Sequence, residues 1–107
     1  MHTVSALVRS FALSALMLLS LSALASQNTL LVVGDSLSAA YGVPSDTAWV
    51  QLLRDRLDER GLNWEVVNAS ISGETTDGGL RRLPELLQKN QPDVVIIELG
   101  GNDGLRG

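Results

Sequence analysis

The chain has no cysteine in its 107 residues, which excludes a disulfide framework, a cysteine-based metal site and a lipoprotein anchor. It also lacks a basic excess: 8 Lys and Arg against 12 Asp and Glu give a formal charge of −4. Nucleic-acid-binding domains usually carry a basic face, and the acids and arginines of the second half are mixed as on a solvated surface. There is one histidine, His2. Internal repeats and low-complexity segments are absent, and no apolar run is long enough to span a bilayer comfortably.

What is present begins with a contrast. Arg9 supplies a positive charge, residues 11–21 (FALSALMLLSL) are apolar, and Ala23-Leu24-Ala25 gives the small-x-small pattern that a signal peptidase accepts. Residues 1–25 are therefore expected to be a signal peptide cleaved after Ala25, which makes the mature protein periplasmic or secreted. No stable membrane anchor is expected, because Ser and Ala dilute the run and no stop-transfer flank follows.

In residues 26–107, the run 29–33 (TLLVV) has the composition of a strand buried on both faces, ended by Gly34. Ser45 or Asp46 is placed to cap a helix with Trp49, Val50, Leu53 and Leu57 inward, Arg54, Asp55, Asp58 and Glu59 outward, and Gly61 closing it. Residues 64–67 (WEVV) predict a second strand. Residues 78–90 predict a second helix with Leu80, Leu83, Leu86 and Leu87 as its buried stripe, in which Pro84 requires a start near Leu83 or a kink. Residues 94–99 (VVIIEL) predict a third, central strand.

Strand, helix, strand, helix, strand gives βαβ units and a parallel sheet with right-handed crossovers. Such a sheet needs cover on both faces, and its domains typically reach about 100–150 residues. The third strand falls close to Gly107 with no helix expected to cover it. Residues 26–107 are thus expected to be the N-terminal part of a longer domain.

In parallel α/β sheets ligands bind at the carboxyl ends of the strands. Three loops open there: residues 34–38 (GDSLS), 68–73 (NASISG) and 100–103 (GGND). Ser36, just past a buried strand, presents a hydroxyl and its own N–H to one space, as a nucleophile must, although a serine there also serves simply to cap a turn. Gly73 lets a substrate approach its N–H, or is an ordinary turn glycine. Asn102 brings an amide that can donate to a developing oxyanion, or closes an Asx turn. Together they supply one hydroxyl and three independent donors, the requirement of acyl transfer, without matching the G-x-S-x-G elbow of α/β hydrolases.

GDSLSAAYG, NASISGETTDGG and ELGGND resemble, in order and spacing, the first three sequence blocks of the SGNH (GDSL) hydrolases. The likeness is strongest to the secreted bacterial branch of acyl-CoA thioesterases, lysophospholipases and arylesterases. The resemblance implies a flavodoxin-like three-layer α/β/α fold, incomplete in this chain. It implies Ser36 as nucleophile, an oxyanion hole made by the Ser36 and Gly73 N–H groups with the Asn102 side chain, and Asp35 as a supporting residue that organises the turn. No metal or organic cofactor is implied, and the partner is a small-molecule ester or thioester. The family's histidine base and the aspartate three residues before it have no counterpart here, since His2 falls in the expected signal. A serine hydroxyl without a base is a poor nucleophile, so the chain by itself is expected to be inert. The alternative is a non-catalytic module holding a carbohydrate or small anion at the same edge. A phosphate site at the first helix is weaker still, because residues 37–41 offer neither a glycine-rich cradle nor a lysine.

Overall fold

Five consecutive β-favouring residues cannot expose both faces of a strand cheaply, and β1 (Asn28–Gly34) meets that demand by lying in the middle. Leu31, Val32 and Val33 are fully buried. The computed structural model describes residues 26–106; the expected signal peptide lies outside the described residues. After β1 come α1 (Trp49–Glu59), β2 (Trp64–Asn68), α2 (Thr76–Asn90), β3 (Val94–Glu98) and the short α3 (Gly101–Arg106).

β1 pairs in parallel with β2, Leu30 opposite Val66, and with β3, Val32 opposite Ile96, so the order is β2-β1-β3. Alternate strand residues point to opposite faces. Leu30, Val32, Val66 and Ile96 pack on one face with Trp49, Val50, Leu53 and Leu57 of α1. Val33 and Ile97 look toward Gly79, Leu80 and Leu83 of α2 on the other. The chain thus moves from β1 to β2 over one face and returns past β1 to β3 over the opposite face, which gives both crossovers the same hand. The parallel sheet between two helical layers is the α/β architecture expected.

Several local expectations are corrected. The first helix starts at Trp49, after Ala48, with no side-chain cap. Ser45 and Asp46 lie instead in a turn closed by Thr47, whose N–H and hydroxyl donate to the Pro44 carbonyl at 3.1 and 2.9 Å. Arg54 is half-buried rather than outward, and its Nη2 donates to the Val66 carbonyl at 3.0 Å, pinning α1 to β2. Gly61 does close the helix in the left-handed region.

The second helix begins at Thr76, so Pro84 lies inside it. Thr75 caps it by accepting from the Gly78 N–H at 3.2 Å, and an Arg82–Glu74 ion pair at 3.1 Å braces its first turns. These contacts fix the helix upstream of a proline that removes one backbone bond. Of the expected stripe, Leu83 and Leu86 are half-buried, whereas Leu80 and Leu87 are exposed. Among the described strands β3 pairs on one side only, with β1, and Ile97 is 60 % exposed. The segment after β3, expected as a loop, is helical, and Asn102 sits in the first turn of α3. No helix among the described residues is long and apolar enough to cross a membrane.

Candidate active site

The three loops are stitched together by their own polar groups. The Ala69 and Ile71 N–H groups donate to the Val32 and Gly34 carbonyls at 2.8 and 3.0 Å, laying the second loop along the end of β1. Asn102 Nδ2 donates to the Glu74 carbonyl at 2.9 Å, tying the third to the second. Gly101 faces the first: a side chain there would begin 3.9 Å from Asp35 Oδ2.

Asp35 is buried and organises its turn in the manner of an Asx residue. Its Oδ1 accepts from the Leu37 N–H at 3.0 Å, and its carbonyl accepts from the Ser38 and Ala39 N–H groups at 3.2 and 2.9 Å. Ser36, between these anchors, is half-buried. Among the described residues neither its N–H nor its hydroxyl has a hydrogen-bond partner, although the N–H groups on either side are both held.

Gly73 takes φ +82°, a region unfavourable to any residue with a side chain, so the turn itself requires glycine. Its N–H likewise donates to no described residue. Around it the loop is clamped: Arg82 Nη2 donates to the Ala69 carbonyl at 2.6 Å, and Glu74 Oε1 accepts from the Thr75 N–H at 3.1 Å.

Asn102 does not close an Asx turn on its own backbone. Because a backbone carbonyl only accepts, the amide nitrogen is the atom facing Glu74 O, and among the described residues one of its two protons has no partner. Its neighbour Asp103 accepts from the Thr76 hydroxyl and, at 2.9 Å, from the Thr76 N–H. The hydroxyl bond first, then the N–H bond, hold the Asp103 carboxyl below its ordinary range. α3 is thereby fastened to the start of α2.

Sequence reasoning missed the supports of this edge. Ser38 is fully buried: its Oγ donates to Glu98 Oε1 at 2.7 Å and accepts from Trp49 Nε1 at 3.1 Å, while its carbonyl accepts from Asn68 Nδ2 at 2.8 Å. The available signal was the acid that ends the apolar run VVIIE. Arg82 gave none, since a salt-bridged arginine and a solvated one look alike in a helix pattern. Among the described residues no cluster of three or more His, Cys, Asp or Glu is placed to hold a metal ion. A hydroxyl, two uncommitted backbone donors and half of an amide, carried by interlocked loops, are the groups that acyl transfer uses.

Residues 32–107 match the GDSL-like Lipase/Acylhydrolase family. The chain is 60 % identical over 83 residues to esterase TesA of Pseudomonas aeruginosa, covering 78 % of this chain and 41 % of that protein. It is 54 % identical over 83 residues to thioesterase 1/protease 1/lysophospholipase L1 of Escherichia coli (strain K12), covering 78 % and 38 %. Among solved structures, the psychrotrophic esterase EstA from Pseudoalteromonas sp., inhibited by monoethylphosphonate, aligns with a TM-score of 0.69 at 54 % identity, over 76 % of this chain and 44 % of that one. The chain spans about two fifths of the length of these curated relatives.

Proposed function

The chain belongs to the GDSL-like lipase/acylhydrolase family, and on that premise we propose that it forms the N-terminal part of a secreted serine esterase. Its substrates are small-molecule carboxylic esters or thioesters, a range supported by the names of its esterase and thioesterase relatives. The observation that supports the assignment most is the contrast at the first turn: residues 35 and 37 have their N–H groups held, while the Ser36 N–H and hydroxyl are left uncommitted among the described residues.

In this reading the Ser36 oxygen attacks the acyl carbonyl as a base removes its proton. The carbonyl electron pair moves onto oxygen, which receives donors from the Ser36 and Gly73 N–H groups and the spare Asn102 amide proton. Collapse expels the alcohol or thiol, protonated by the same base, and leaves an acyl-enzyme that water cleaves by the reverse sequence. The base lies outside this chain's mature residues, which contain no histidine. Inhibition of EstA by a phosphonate fits the reading, since such groups trap serine nucleophiles.

The oxyanion assignment is tested by Asn102→Ala in the complete enzyme. The amide acts where negative charge develops, so kcat is expected to fall about 10²- to 10³-fold with little change in KM. A rise in KM with kcat intact would make Asn102 a uniform binding contact and overturn its place in the oxyanion hole. Export is tested separately. Expressed with its leader in a Gram-negative host, the periplasmic protein is expected to begin at Ser26 by intact mass; retention of Met1 together with membrane association overturns the signal assignment.

A further inference from the structure

A short chain of hydrogen bonds runs from α1 to the turn that carries Ser36, and its direction is fixed by chemistry. Trp49 Nε1–H can only donate, and it donates to Ser38 Oγ at 3.1 Å. The single Ser38 proton therefore goes to Glu98 Oε1, at 2.7 Å, the length of a charge-assisted O–H···O⁻ bond. The same Oε1 accepts from the Asp35 N–H at 3.3 Å. The backbone makes room for this junction. Gly34 stands opposite Glu98 in the β1–β3 register, and a Cβ at Gly34 would fall 2.6 Å from Ser38 Oγ and 2.9 Å from Glu98 Oε1.

The geometry points to Glu98 as a positioning residue for acyl transfer. One carboxylate oxygen holds the Asp35 N–H before Ser36 and the Ser38 hydroxyl after it, and so fixes the direction in which the Ser36 hydroxyl and N–H are presented. Glu98 acts through Asp35 and Ser38, and the inference rests on the reading of Ser36 as nucleophile. Half-buried at the tip of β3, Glu98 also links the strand that leads to Asn102 with the turn that holds Ser36. Its loss releases two donors at once, both next to the reacting group. Misplacement of a reacting group by about 1 Å costs on the order of 10²-fold in rate.

The test compares wild type, Glu98→Ala, Glu98→Gln, Ser38→Ala and the Glu98→Ala/Ser38→Ala double variant of the complete enzyme. Measured are kcat, KM and the rate at which a fluorophosphonate labels Ser36. Glu98→Ala and Ser38→Ala are expected to lower kcat and labelling rate, Glu98→Ala by about 10²-fold, with KM within about threefold of wild type. Glu98→Gln keeps an oxygen that accepts from both donors and is expected to recover most of the loss. The double variant should lose less than the two single losses combined, because both substitutions cut the same Ser38–Glu98 bond. Should Glu98→Ala fail to fold, Glu98→Gln and Ser38→Ala decide by the same kcat criterion. Wild-type labelling rates in the folded alanine variants, additive losses, or a Gln variant no better than Ala each overturn the positioning role alone. A wild-type enzyme that takes no label at Ser36 overturns the parent reading and this role with it.

Discussion

Ser36→Ala in the complete enzyme is expected to abolish fluorophosphonate labelling and to lower kcat by about 10⁶-fold, the scale seen when a hydrolase loses its nucleophile. The size follows from the lack of a substitute hydroxyl at the same point. Ser38 is buried and its one proton is committed to Glu98. Ser70 Oγ is also buried, so it is closed to a substrate even though it has no partner among the described residues. The fold should survive, since the Ser36 side chain bonds to no other described residue and such substitutions usually change stability by less than about 0.5 kcal/mol. Some rate above that in water should persist, because the oxyanion donors remain. Peptide mapping of the labelled protein reads the outcome: label on another serine, or turnover within about a hundredfold of wild type, removes Ser36 from the nucleophile's place.

The fold was legible to the extent that it is written in local pattern. The run TLLVV announced a strand buried on both faces, and the alternation of strands and helices gave the parallel sheet. What failed was whatever particular side-chain and turn contacts decide, even between residues close in sequence. Ser45 and Asp46 have good capping side chains, yet the Pro44–Thr47 turn delays α1 to Trp49. Pro84 argued for a later start to α2, yet Thr75 and the Glu74–Arg82 pair fix its beginning upstream. VVIIE has the composition of a strand covered on both sides, and the described residues pair it on one side only, with β1.

The candidate site divides in the same way. Ser36, Gly73 and Asn102 could be picked out because a hydroxyl, a bare backbone and an amide are recognisable at strand ends. Their holders could not. Glu98 is 63 residues from Asp35 and 60 from Ser38, and nothing in either segment names the other. Asn102 meets a backbone carbonyl, at Glu74, which has no sequence signature at all. Donors that face solvent are visible in composition; the contacts that aim them arise only on folding.

The second large effect concerns residues 26–107 produced alone, which are expected to hydrolyse no ester and to give no cooperative melt. The chemistry lacks a base. No histidine falls in these residues, and the nearby carboxylates are already engaged: Asp35 by the Leu37 N–H, Glu98 by Ser38 and Asp103 by Thr76. Removal of the general base costs a serine hydrolase about as much as removal of its nucleophile, so turnover should fall below detection. The packing is also short of cover. Leu80, Val94, Val95 and Ile97 are exposed, and an open groove runs between α2 and β3 over Val33, Leu83 and Leu99. At about 25 cal/mol per Å², a few hundred Å² of such surface left wet forfeits several kcal/mol. That loss is comparable to the whole stability of a small domain, about 5–15 kcal/mol. Calorimetry and a chromogenic ester assay on the purified segment check the two halves independently. A cooperative transition would show that this core suffices without further cover, and ester turnover would mean that a group within these residues takes the Ser36 proton.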